Sequence, residues 1–177
     1  MGIRGISLAP ASFSQCPVEI CQIIGEFAYD GRTIFDSVKA NLLMSSSASF
    51  IGSCKYLIDQ CGVYLSKSIR NGIYGDLAKQ PIIQLKFGQM VTNFELASCF
   101  YQDCCSKITS GIFGDHSSIL ITCKVFSSQA TQALALSCME LFCGAGCNEE
   151  YDIDQHVRDI LSLTIIHPSN DVALTII

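Results

Sequence analysis

Beyond Gly31 the chain keeps almost throughout to one period: apolar residues return every three or four positions, and only Pro81 and Pro168 interrupt them. That spacing collects them on one side of an α-helix, whereas a half-buried strand would alternate every second residue. It predicts an all-α fold, an antiparallel up-down four-helix bundle over residues 30–177, because amphipathic helices of this length bury their apolar faces against one another. The first helix is expected from Asp30 or Gly31 to about Ile69, stopped by Asn71-Gly72, with Ile34, Val38, Leu42, Phe50, Leu57, Ile58 and Leu65 turned inward. A second starts near Pro81, whose missing N–H is harmless in a first turn, and runs to about Ser110, burying Ile83, Phe87, Met90, Val91, Phe94 and Phe100. Asp115 is the expected cap of a third, which reaches Phe142 and ends at Gly144-Ala145-Gly146. The fourth runs from about Asp152 to Ile166, is stopped by Pro168, and precedes a short last helix capped by Ser169 or Asn170. Residues 1–29 follow another pattern, in which Gly2, Gly5, Pro10 and Pro17 break up short apolar pieces and predict short strands or an extended arm.

Charge is scarce. Of the 177 residues 15% are charged and 49% hydrophobic, which suggests that more than one face of the domain is covered, as in an oligomer or a subunit docked to a companion chain. A net charge of -5 without Lys/Arg clusters argues against nucleic acid as a partner. The uncharged runs Ala40 to Cys54 and Val125 to Met139 are shorter than the roughly 20 apolar residues of a bilayer span, so no membrane span is expected. Ser45 to Ser49 falls inside the first helix, where small side chains allow close packing, and lacks the glycine pattern of a phosphate loop. The start Met1-Gly-Ile-Arg-Gly has no secretory-signal pattern, and the eleven cysteines lack disulfide or zinc spacing. Most cysteines are therefore expected as small core residues of a cytoplasmic protein. Cys143, Cys147 and His156 would need further ligands to hold a metal, and no metal site is expected.

Chemistry is concentrated between Cys143 and His167, where Cys143-Gly144-Ala145-Gly146 leads through acidic residues to Arg158-Asp159 and Ile166-His167-Pro168. This block resembles the closing signature of the acyl-CoA dehydrogenase family, in which a Gly-Gly-x-Gly turn, an Arg-Asp pair and an Ile-Tyr-Glu-Gly segment follow at the same intervals. Met1-Gly-Ile-Arg-Gly looks like a late strand motif of that family's β-domain, and Ile24-Gly25-Glu26 like the Leu-Gly-Glu before its first bundle helix. Arg70 stands where the family has the arginine of an Arg-x-x-Phe-Gly turn, with Ile73-Tyr74 in place of Phe-Gly. Glu140 stands where the family usually has Gln, and His167 where most members carry the catalytic glutamate.

The resemblance implies the family's C-terminal bundle, with residues 1–29 as an extended arm or a remnant of the β-domain. It also implies an oxidoreductase subunit acting on an acyl thioester, with FAD at a composite site between domains or subunits. Arg70, Glu140, Gly144 and Gly146 fall at positions that approach the cofactor. A guanidinium at Arg70 suits a phosphate, while Gly144 and Gly146 suit positive φ or close backbone approach. His167 can be a general base near neutral pH or a cap on the helix C-terminus. Arg158 and Asp159 are neighbours on a helix, point apart, and are expected to bond to other helices or a second subunit. Two alternatives remain beside the dehydrogenase: a non-catalytic oligomerisation module without flavin, and a flavin-free enzyme that reuses the bundle cavity.

Overall fold

The computed structural model describes residues 2–6, 9–23, 31–67, 76–110, 117–166 and 168–176, apart from the side chains of 31–37, 117 and 176. Five α-helices follow in order: α1 (Gly31–Lys67), α2 (Pro81–Thr109), α3 (Ser117–Phe142), α4 (Ile153–Ile165) and α5 (Asn170–Ile176). The first four form the expected up-down bundle, and no strand occurs among the described residues. Helix α3 is the centre, packing against α1, α2, α4 and α5. Its composition explains the position: Lys124 is the only charged residue between His116 and Glu140, so α3 has no strongly solvated face.

Boundaries follow local chemistry. Pro81 opens α2, and Ser110 ends it with its N–H directed to the Ser106 carbonyl at 3.0 Å. Asp115, the expected cap of α3, lies outside the described residues, as does the Asn71-Gly72 stop of α1. Asp152 precedes α4 in a left-handed conformation (φ 55°) and gives no side-chain cap. A 3₁₀ stretch, Cys143–Cys147, follows α3 directly.

The main core joins Phe50, Leu57 and Leu65 of α1, Met90 of α2, Leu134 and Leu141 of α3, and Ile153 and Ile160 of α4. A smaller cluster at the α5 end joins Leu43, Leu120, Ile121, Val125 and Ala173. In α1 the expected inward residues Phe50, Leu57, Ile58 and Leu65 are buried, but Val38 and Leu42 are exposed and Leu43 is buried instead. The stripe passes through Leu43, Ser47, Phe50, Cys54 and Cys61, so small polar and thiol side chains share it with the aliphatic ones. In α2, Met90 is fully buried; Ile83, Phe87, Val91 and Phe94 pack against the core half-buried, and Phe100 meets Phe126 edge-on.

The expectation that most cysteines are core residues needs correction. Cys54, Cys61, Cys104, Cys123 and Cys138 are buried, whereas Cys16, Cys21, Cys99, Cys143 and Cys147 are exposed. The buried ones lie at helix seams: Cys61 Sγ is 3.1 Å from Cys138 Sγ across α1 and α3, and Cys54 donates to Thr131 Oγ1 at 3.1 Å. Residues 9–23 are exposed throughout, with one 3₁₀ turn at Ile20–Gln22. Gly2 and Ile3, in contrast, meet α4 at Arg158 and Asp159.

Candidate functional site

The segment that contains position 167 connects α4 to α5, and one side chain of α3 holds it. Lys124 is 1% exposed, with its Nζ inside this connection. It donates to the Pro168 carbonyl and Asn170 Oδ1 at 2.9 Å each, and to the Thr164 and Ile166 carbonyls at 3.3 and 3.4 Å. One turn along α3, Ser128 Oγ accepts from Asn170 Nδ2 at 2.8 Å. Two positions four residues apart on α3 therefore meet the same short connection. Burial pushes the Lys124 pKa below its ordinary 10.5. The surrounding oxygens act in the opposite sense by bonding to the ammonium. Carbonyls at a helix C-terminus carry partial negative charge, and here Lys124 is the cation that meets them. His167 itself lies outside the described residues.

Lys124 was not among the residues singled out from sequence. A usable signal was present, since a lone charge in a long uncharged helical run must either break the buried face or find a partner inside it.

At the other end of α3 lies the turn expected to approach a cofactor. Glu140 forms an ion pair with Lys86 of α2, and both side chains are partly exposed. The left-handed residue is Cys143 (φ 54°), not a glycine. Gly144 is exposed, and a Cβ there would meet no atom within 4 Å. Gly146 is buried, and its added Cβ would stand 3.0 Å from the Met139 carbonyl oxygen and from Phe142 Cβ. Close approach is thus the role of Gly146 alone. Its packing partner Phe142 stacks on Tyr64, with ring centroids 4.1 Å apart.

Arg158 and Asp159 act at separate places. Arg158 Nη1 bonds Asp154 Oδ2 at 2.5 Å within α4, while its buried Nε has no hydrogen-bond partner among the described residues. Asp159 accepts from the backbone N–H of Ile3 and so fastens the N-terminal segment to α4. Gly2 lies over the Arg158 carbonyl, where no side chain would fit. His156 packs against Tyr56 with the rings tilted by 32° and their centroids 4.4 Å apart. Among the described residues no three His, Cys, Asp or Glu side chains gather as metal ligands, and no helix is long and apolar enough to cross a membrane. Arg70 and His116 lie outside the described residues.

The family model for the acyl-CoA dehydrogenase C-terminal domain matches residues 43–177, almost the whole bundle. The chain belongs to the acyl-CoA dehydrogenase family. Solved structures show the same fold. The acyl-CoA dehydrogenase of Geobacillus kaustophilus superposes with a TM-score of 0.76 at 18% identity, over 83% of this chain and 38% of that one. Butyryl-CoA dehydrogenase of Megasphaera elsdenii gives 0.75 at 20% identity, over 82% of this chain and 37% of its own. PigA, solved with FAD and proline, gives 0.75 at 19% identity, over 83% of this chain and 37% of its own. At these identities the likeness concerns the fold, and the chain spans less than two fifths of each relative's length.

An acyl-CoA dehydrogenase bundle raises the question of FAD. The described residues do not form a cradle for its pyrophosphate: Gly144 faces open space, Gly146 is closed off by the end of α3, and the cation beside Glu140 is already paired with it. Elsewhere on the surface, α2 and α3 enclose an open groove of about 710 Å³. Gln84, Leu85, Gly88, Asn93, Ala133 and Ser137 are among its lining residues, none of which is charged.

Proposed function

We propose that this chain is the assembly bundle of an acyl-CoA dehydrogenase-like oxidoreductase subunit, and that it self-associates through the α2–α3 face. The observation that carries this reading is the row of outward apolar residues on α2, with Ile82 and Leu85 58% exposed and Leu96 56% exposed. Leu136 of α3 is also exposed. The uncharged groove beside them has small residues, Gly88, Ala133 and Ser137, that let a second helix come close. Depletion of charge with exposed aliphatic side chains is the composition of an interface core. Residues 1–29 are then an extended arm or a remnant of the family's β-domain. A Leu85→Lys/Leu96→Lys variant should dissociate at concentrations where the unchanged protein stays assembled, as read by sedimentation velocity. Identical sedimentation of the two would contradict the choice of face.

A catalytic reading is favoured by a different observation: the backbone on both sides of position 167 is held by Lys124. In this reading the assembled subunit would act on an acyl thioester, FAD would be held by other domains or a neighbouring subunit, and the Arg70 guanidinium would suit one of its phosphates. Of this chain's own residues, His167 accepts the α-proton of the thioester, a task suited to an imidazole near neutral pH. Flavin absorbance in the protein co-purified with its partner is the expected result. Colourless protein in a fully occupied complex would end this reading.

A further inference from the structure

We propose that Lys124 is a positioning residue whose buried ammonium fixes the backbone on both sides of position 167, where the catalytic reading puts the base. The consequence for catalysis rests on the catalytic reading above, whereas the consequence for the backbone does not. A charge removed from water is retained only where it is well partnered. Every hydrogen bond found for Nζ goes to residues 164–170, three to backbone carbonyls and one to Asn170 Oδ1. Among the described residues no carboxylate bonds to it, and the partners found there are oriented dipoles. Backbone carbonyls, unlike carboxylate side chains, cannot turn away without moving the chain. One tetrahedral donor shared among them therefore constrains the path from the last turn of α4 to the first of α5. Asn170 closes the arrangement, since its Oδ1 accepts from Lys124 while its Nδ2 donates to Ser128 Oγ. Pro168, buried between the held carbonyls, limits the same path further.

The alternative is that Lys124 merely fills space, and Lys124→Met separates the two because methionine has a similar length and no charge. Hydrogen exchange read by mass spectrometry on the whole chain should show residues 161–171 exchanging about tenfold faster or more in Lys124→Met, with peptides of α1–α3 unchanged. Asn170→Ala removes one acceptor and should give a smaller increase in the same stretch. Undiminished protection in Lys124→Met would overturn the proposal. Should that variant fail to fold, unchanged protection in Asn170→Ala would overturn it instead. In an assembly that turns over an acyl thioester, Lys124→Met should lower kcat about tenfold or more at nearly constant KM. A loss confined to KM would contradict a role in positioning the base. Absence of turnover in the unchanged assembly would dismiss the catalytic reading, and the exchange result would still decide what Lys124 does.

Discussion

Two glycines one residue apart, in the turn that bears the family signature, have different physical roles. A methyl group at Gly146 would press on the Met139 carbonyl and on Phe142, whereas one at Gly144 would meet open space. Gly146→Ala should therefore cost about 1–3 kcal/mol through overpacking, and Gly144→Ala should stay within about 0.5 kcal/mol. Urea denaturation of the two variants measures the difference, and equal midpoints would contradict this assignment. The sequence made both glycines visible but not which one is crowded, because crowding depends on how the end of α3 folds back on itself. Lys124 shows the same limit from the other side. Its isolation in an apolar run was legible, but its partners lie some forty residues away, on a connection whose course is set by packing.

At the scale of the elements, period and punctuation carried the most information. Pro81 and Pro168 mark real ends, and α4 buries Ile153, Val157 and Ile160 at spacings of four and three. Ile160→Ala should cost about 2–5 kcal/mol, visible as a lowered melting temperature, since it leaves a hole where α4 meets the core. The inward face of α1 was harder to assign near its start. Ala40 to Cys54 has no charged residue to mark the solvent side, and Ser47 and Cys54, fully buried, do not register as core in an aliphatic count. Asp159 gives a second test at this scale, because it holds the Ile3 N–H. Asp159→Ala should release residues 2–6 from α4 and speed tryptic cleavage after Arg4, followed by mass spectrometry. An unchanged cleavage rate would mean that the contact contributes little to holding the segment.

For the whole molecule, the buried thiols at the helix seams have a consequence for pH. Burial raises the Cys54 thiol from 9.0 to about 11, and burial with the neighbouring Cys123 raises Cys104 to about 12. A raised folded pKa means that the unfolded chain loses its protons first, so stability is full below about pH 9 and declines as pH climbs toward 11–12. Lys124 acts with the opposite sign, because burial lowers its pKa and favours the fold as pH rises toward 10.5. The thiols are more numerous, so the urea midpoint should fall between pH 8 and pH 10.5; a rise over that interval would contradict the balance. The family and the bundle were legible in the Gly-Ala-Gly, Arg-Asp and Ile-His-Pro spacing because these residues define turns and helix ends. The open α2–α3 face was not, since exposure of Leu85 and Leu96 follows from which helices surround α2. Assembly of this bundle with its own copies through that face is read out by native mass. A mass of two or more chains of 19.2 kDa each is expected across the micromolar range. A species of 19.2 kDa at every concentration would contradict it.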